Sequence, residues 1–171
     1  MSFVSPVERL DPPQIADERA ALRAWLDYHR ATVLRKLDGL DDAQLRQPKV
    51  PTGLSLLGLV KHLTDVEHSW FTVRFAREAE RHLYSTPEDP DADFRIAGEE
   101  STELIVSAYL RECRRSREIE GRAESLDVTF EHPRGGTYDL RWILMHLIEE
   151  TARHNGHADI IRELIDGATG E

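Results

Sequence analysis

The sequence has 171 residues, of which 40% are hydrophobic and 32% are charged, and its formal net charge is -10. These values indicate one globular domain rather than a disordered chain. The acidic balance argues against nucleic acid as a partner, because phosphate binding needs a basic surface. No apolar run approaches the ~20 residues of a membrane span.

The beginning of the chain and its cysteine content indicate a cytoplasmic protein. The first residues, MSFVSPVERLDPP, lack the basic start and the apolar centre of a signal peptide. Cys113 is the sole cysteine, so an internal disulfide framework is excluded, and this is compatible with the cytosol. We expect a single domain over residues 1–171, with residues 1–13 as an N-terminal tail and no membrane association.

Four long segments carry apolar residues at helical spacing. Ser101 precedes the third segment as an N-cap, and Gly167 follows the fourth as a stop signal. A long polar connection, STPEDPDADFRIAGEE, separates the second and third segments, and DVTFEHPRGGTYDL suggests a small hairpin before the fourth. The fold class is therefore all-α, a four-helix bundle with a long crossover connection. The predicted helices cover residues 13–37, 55–82, 102–123 and 139–165.

The apolar face of the fourth helix is interrupted by polar residues. Its core-facing positions follow one stripe at steps of three and four, namely Ile143, Leu147, Glu150, His154, Ala158 and Ile161. Burying a carboxylate without a partner costs several kcal/mol. A cation shared by Glu150 and His154, which lie one turn apart, would compensate that cost.

The second helix offers a third donor. His62 lies at the edge of the apolar face, and Gly58, one turn earlier, leaves room beside it. A His from one helix and a Glu-x-x-x-His pair from another would form a His₂Glu set, which leaves the fourth position of a zinc ion open. Facing helices of a bundle often build such metal sites.

Spacing alone leaves several alternatives open. His146 lies four residues before Glu150, so these two form an equally good local pair, and His157 lies three residues after His154. His29 interrupts the apolar stripe of the first helix. Each of these three histidines could be a ligand, a partner that orients a ligand or a substrate contact. Gly156 indicates close packing against another helix, whereas solvent is the expected surrounding of three further histidines, His68, His82 and His132.

Three segments of the chain resemble the DinB/YfiT-like superfamily of metal-binding four-helix bundles, and the resemblance covers nearly the whole chain. They are WLDYHRATVLRKLDGL, PTGLSLLGLVKHLTDVEHSWF and LRWILMHLIEETARHNGHADIIRELIDG. The resemblance implies His62, Glu150 and His154 as metal ligands, and it selects Glu150 over His146. Many members carry His-x-x-x-His and then Arg-Gly-Gln on the last helix, whereas this chain has Glu150 and HNGH. The Glu-x-x-x-His order resembles the N-terminal domain of mycothiol-dependent maleylpyruvate isomerase.

The resemblance also implies a function. The superfamily includes thiol-dependent transferases, so we expect a transferase that joins a small-molecule thiol to an electrophile. The chain has 19 Arg and 3 Lys, a skew typical of GC-rich genomes, and this favours mycothiol as the cosubstrate. Zinc is the expected metal, with nickel, iron and manganese as alternatives. Two other functions remain open, a metal-dependent hydrolase and a non-catalytic metal- or ligand-binding bundle, and spare helix faces permit a homodimer.

Overall fold

Five α-helices and one small hairpin are the main elements of the part of the chain that the structure describes. The computed structural model describes residues 2–79 and 81–170, so residues 1, 80 and 171 of the predicted domain lie outside the described part. The third helix continues directly into a π-helical segment, and a short 3₁₀ turn lies in the long connection. The elements are α1 Glu18–Arg35, α2 Asp42–Arg46, α3 Leu56–Glu67, the π-helical segment His68–Phe75, the 3₁₀ turn Ala92–Phe94, α4 Thr102–Arg122, β1 Thr129–Glu131, β2 Thr137–Asp139 and α5 Leu140–Asp166.

The first and last long helices run parallel to each other. Arg141 at the start of α5 binds Glu18 at the start of α1, with 2.6 Å between Nε and Oε1. Near the other end, Arg162 of α5 donates to the carbonyl of Lys36, which directly follows α1. This pairing places both N-termini at one end of the bundle.

The third and fifth helices run antiparallel, and this orientation positions the site. His62 of α3 lies opposite Glu150 of α5, whereas Trp70, eight residues later, lies against Trp142, eight residues earlier on α5. The early part of α3 therefore faces the later part of α5.

A long crossover joins α3 to α4, because these neighbouring helices run in the same direction. Lys61 binds Glu100 just before α4, and His68 binds Glu112 further along it. Parallel neighbours need a connection that returns along the bundle, which residues 76–101 provide. The all-α fold with its long crossover is confirmed.

The local sequence signals account for most element boundaries. Ser101 accepts a hydrogen bond from the Leu104 amide, as its predicted role as the N-cap of the third helix requires. Gly167 has φ +78° and ends α5. The hairpin forms with Phe130 paired to Tyr138, and two positive-φ glycines in its turn allow the chain to reverse.

The predicted end of the second helix is wrong. We expected a helix to residue 82, whereas helical structure ends at Phe75 and Arg77 has φ +56°. The buried carboxylate of Asp65 accepts hydrogen bonds from the amides of Leu83 and Ser85. These contacts fold the chain back onto α3, so tertiary hydrogen bonds override the local helical preference.

The core consists of two groups of buried residues. One lies around the early part of α3 and includes Ala158 and Ile161 of α5. The other includes Ile143 and Leu147 of α5, together with the hairpin residue Phe130. Glu150 and His154 lie on α5 between the residues of the two groups. The interrupted stripe is therefore a polar layer between two apolar regions.

The segment before α1 contacts the bundle. The Phe3 amide donates to the Leu40 carbonyl at 2.8 Å, and the Gly39 amide donates to the Phe3 carbonyl at 2.9 Å. Phe3 and Val7 also pack against the core. Part of the predicted tail is thus held on the surface by hydrogen bonds and apolar contacts. Within the described residues, no helix combines the length and apolarity that crossing a membrane requires.

We expected His68 to be exposed to solvent, but it is partly buried. Its contact with Glu112 should make the stability of the protein depend on pH. Its Nδ1 lies 3.0 Å from Glu112 Oε2, and Glu112 raises the pKa of His68 above its ordinary value of 6.5. A raised folded-state pKa gives stability that is fully present below the unfolded pKa and is lost as pH rises through the folded pKa.

His68→Gln is therefore expected to destabilise the protein more at about pH 6 than at about pH 8. Urea denaturation of the parent and the variant at the two pH values measures the difference. Equal destabilisation at both values would show that the His68–Glu112 pair is not charge-assisted.

Candidate metal centre

Three potential metal ligands meet between α3 and α5. His62 Nε2 lies 3.4 Å from Glu150 Oε1, and His154 Nε2 lies 3.3 Å from the same oxygen. The three ligand atoms lie within 4.8 Å of one another. The structure thus brings together the three residues that the sequence analysis selected, and their binding of a metal stays a prediction.

The helical spacing explains this convergence. Glu150 and His154 are four residues apart on α5, so their side chains lie on one face. His154 is buried, and Glu150 and His62 are partly buried, which shields all three from bulk water. Two imidazoles and one carboxylate therefore face a common point between two apolar regions of the core.

The electrostatics of the group favour an ionised carboxylate. Hydrogen bonds from His154 and His62 hold the pKa of Glu150 well below its usual range, against the opposing effect of burial. Burial acts to lower the pKa of His62, but its contacts with Asp93 and Glu150 outweigh burial and raise that pKa. With both imidazoles neutral, the group carries one negative charge. A divalent cation would leave it at +1 and satisfy both nitrogen donors.

Asp93 orients His62, and the sequence analysis missed it. Its Oδ2 lies 2.8 Å from His62 Nδ1, which leaves Nε2 directed at Glu150. Asp93 is buried in the 3₁₀ turn, and its Oδ1 has no hydrogen-bond partner among the described residues. In metal sites, the ring nitrogen of a histidine that does not bind the metal commonly donates a hydrogen bond to a carboxylate.

Phe94 covers the other side of His62. The two rings stack with centroids 4.0 Å apart and an interplanar angle of 14°. Gly58 permits this contact, because a Cβ at that position would lie 2.4 Å from the Phe94 carbonyl oxygen. The room that Gly58 was expected to leave beside His62 is thus occupied by the crossover segment.

The other candidate histidines lie outside the group of three. His157 Nδ1 lies 3.3 Å from His154 Nδ1. His29 is linked to α5 by Asn155, whose Nδ2 donates a hydrogen bond to the His29 carbonyl at 3.1 Å. His146 stacks on Trp142 with centroids 4.9 Å apart. Among the described residues, no fourth His, Cys, Asp or Glu joins the cluster of potential ligands.

The expectation for Gly156 is wrong. It was predicted to pack closely against another helix, yet a Cβ at this position would meet no atom within 4 Å. Gly156 is exposed on the outer side of α5, opposite the stripe that carries His154. Its presence has no packing explanation among the described residues.

A cavity of about 640 Å³ opens beside His154, and we call it the outer cavity. The crossover segment supplies Asp91, Phe94 and Arg95 to its wall, and α5 supplies His154 and His157. Its volume lies in the range typical of small-molecule sites. A ligand in the outer cavity would be in contact with one of the three potential metal ligands.

The helical architecture is that of an all-α bundle of the DinB-like type. The sequence model of one protein family, described as mycothiol-S-transferase, matches residues 21–167. The match covers most of the chain, and the protein belongs to this family. No curated protein matches the sequence.

Proposed function

We propose that this protein is a metal-dependent mycothiol S-transferase that joins the thiol to a small electrophile. One observation carries the proposal: His62, Glu150 and His154 converge without a fourth donor among the described residues, in a chain of the mycothiol S-transferase family. A site with three protein ligands keeps a position open, as catalytic zinc sites do, whereas structural zinc sites have four protein ligands.

His62, Glu150 and His154 would hold the ion, and zinc is the preferred metal. Nitrogen and oxygen donors also suit nickel, iron and manganese. A divalent ion in this position would supply Lewis acidity that lowers the pKa of a thiol and favours the reactive thiolate. The Glu-x-x-x-His order, which is that of the isomerase domain named above, supports Glu150 as the anionic ligand.

The outer cavity offers the thiol a place to bind. His157 lies on its wall, and burial together with His154 holds the pKa of His157 below its ordinary value. A neutral His157 can therefore accept the thiol proton. His29 is worse placed for this role, because it is not on the wall of the cavity. The partners in this proposal are one small thiol and one electrophile, and a homodimer stays a prediction.

Thiol transfer can be tested with mycothiol and 1-chloro-2,4-dinitrobenzene. The sulfur forms a bond to the ring carbon, the carbon–chlorine bond breaks, chloride leaves with the electron pair and the thiol proton passes to a base. We expect metal-loaded protein to accelerate thioether formation over the uncatalysed reaction, and a chelator to abolish the acceleration. Reactions without thiol or without protein are the controls. The absence of accelerated thioether formation with several electrophiles, or hydrolysis of esters without any thiol, would contradict the proposal.

Because Asp93 orients a proposed metal ligand and is not one itself, its loss should weaken metal binding without abolishing it. Asp93→Asn keeps the size of the side chain but removes the charge that holds His62 Nδ1, so metal affinity should fall by roughly 10- to 100-fold. Competition with a chromophoric chelator measures the affinity. Glu88→Gln, an exposed change in the same connection, is the matched control. Unchanged affinity in Asp93→Asn would show that Asp93 does not orient a ligand.

A further inference from the structure

A second group of side chains lies on the other side of Glu150 from the outer cavity. His146 belongs to it and lies one helical turn before Glu150 on α5. The group combines aromatic rings with one guanidinium, and we call it the aromatic–arginine cluster. Its members are Trp70 and Arg74 of the π-helical segment, His132 and Tyr138 of the hairpin, and Trp142 and His146 of α5.

The rings of the cluster form a continuous surface. Trp70 lies 4.8 Å from His146 and 5.1 Å from Trp142, measured between ring centroids. Tyr138 extends this surface, with its ring 4.6 Å from that of Trp142. Trp142 is 39% exposed, so its ring is accessible to a ligand, and Trp70 and Tyr138 are partly exposed beside it. A planar molecule can stack on such rings.

Arg74 gives the cluster a positive charge that no salt bridge with a described residue neutralises. Its guanidinium lies 4.7 Å from the centroid of Trp70, and its Nε donates to His132 Nε2 at 3.0 Å. Arg74 forms no salt bridge with any described residue, and its buried Nη1 has no hydrogen-bond partner among them. Burial and, to a smaller extent, Arg134 lower the pKa of Arg74, while the charge of Asp65, which forms no salt bridge with Arg74, acts in the opposite direction.

Arg74 differs in this respect from the buried Arg30, which has a carboxylate partner. The net charge is -10, and several arginines of the bundle bind carboxylates, as Arg141 binds Glu18 and Arg30 binds Glu67. A buried guanidinium nitrogen that lacks an acceptor costs free energy. An anionic ligand would place a negative charge beside Arg74, which no salt bridge with a described residue does.

We propose that the aromatic–arginine cluster binds the electrophile, and that this electrophile is a planar molecule with a carboxylate or similar anionic group. The anionic group binds Arg74, and the planar part stacks on Trp70 and Trp142. This inference rests on the proposed function, since it assigns the second substrate of the transfer. The thiol in the outer cavity and the electrophile on the cluster then approach Glu150 from opposite sides along α5.

The two substrates would not exchange places, because the two surfaces differ in charge. In the outer cavity, Arg95 is already paired with Asp89, and Asp91 adds a negative charge. That lining favours neutral polar groups over anions. The cluster instead offers a cation and flat rings, which fits an anionic planar ligand better than a neutral polar one.

Fluorescence quenching by 3,5-dinitrobenzoate tests the inference, with 3,5-dinitrobenzamide as the neutral probe of the same shape. The chain has three tryptophans, and Trp25→Phe leaves only Trp70 and Trp142, both in the cluster. We expect the Trp25→Phe protein, which serves as the parent here, to bind the benzoate roughly 10-fold more tightly than the amide, as a charge-assisted hydrogen bond predicts. Arg74→Gln should remove that difference, whereas Arg153→Gln, on the exposed side of α5, should preserve it.

Three results would overturn the inference: equal binding of the two probes, unchanged benzoate binding in Arg74→Gln, or no quenching by either probe. If Arg74→Gln does not fold, the comparison of the two probes on the parent decides. Because a carboxylate can also bind a metal, the titration is repeated after chelator treatment, and a loss of benzoate binding there would count against the cluster. The titration needs no thiol, so failure here leaves the thiol-transfer assay as a separate test of the proposed function.

Discussion

Glu150→Gln is expected to lose bound metal and to lower thiol transfer by at least ~100-fold. Glu150 is the only anionic member of the group of three, and its Oε1 is the atom on which both imidazoles converge. An amide has nearly the same shape but carries no charge, and it is a weak ligand for a divalent ion. The change therefore removes metal binding with little disturbance of the surrounding packing.

Glu149→Gln is the matched control for this variant. Glu149 precedes Glu150 on the same helix, is exposed and binds Arg153 at the surface. It should retain the metal content and the activity of the parent. Metal content and transfer rate are measured for both variants after circular dichroism has shown equal helicity. Full activity in Glu150→Gln would remove Glu150 from the mechanism, whereas equal losses in both variants would indicate a general effect of charge.

Glu67→Gln is expected to destabilise the protein by about 3–5 kcal/mol, the cost of breaking a buried ion pair. Arg30 donates from Nε and Nη2 to the two oxygens of Glu67, each at 2.6 Å. The side chains are 6% and 2% exposed, so solvent does not screen the charge left on Arg30. Asp27, the other carboxylate bound to Arg30, is partly exposed and compensates only weakly.

Urea denaturation measures the loss of stability in Glu67→Gln. Glu118→Gln is the control, because it breaks the exposed pair with Arg115 and should cost no more than ~1 kcal/mol. The double change Arg30→Met with Glu67→Leu should recover most of the loss, since it leaves no unpaired charge in the core. A loss below ~1 kcal/mol in Glu67→Gln would mean that water reaches the pair.

The periodicity of the sequence predicted the long helices, because the spacing of apolar residues along a helix is a local property. The face that these residues form is the one that the core buries. The caps at Ser101 and Gly167 were predicted for the same reason. The end of the second helix was not predicted, since it depends on hydrogen bonds that Asp65 accepts from backbone amides about 20 positions later. The short helix α2 was also missed, although Asp41 and Gln44 form a capping box there.

The interrupted apolar stripe pointed to Glu150 and His154, and the resemblance to the DinB/YfiT-like superfamily selected them with His62 over the alternative His146. The same signal marks Glu67, which lies four residues after Leu63 and three before Trp70 on the core face of the second helix. The pattern marks Glu67 as buried, but it does not identify Arg30 as its partner. Asp93 and Phe94 could not be predicted, because a long polar connection has no periodicity that says which residue turns inward.

The metal content of protein purified without a histidine tag tests the central claim most directly. Elemental analysis should find about one divalent ion per chain in the parent, as a folded site of this kind retains its metal. His154→Ala should lose the ion, whereas His157→Ala, whose imidazole lies beside the group but outside it, should keep it. A metal-free parent protein, or equal metal in His154→Ala and the parent, would contradict the proposal that His62, Glu150 and His154 bind a metal.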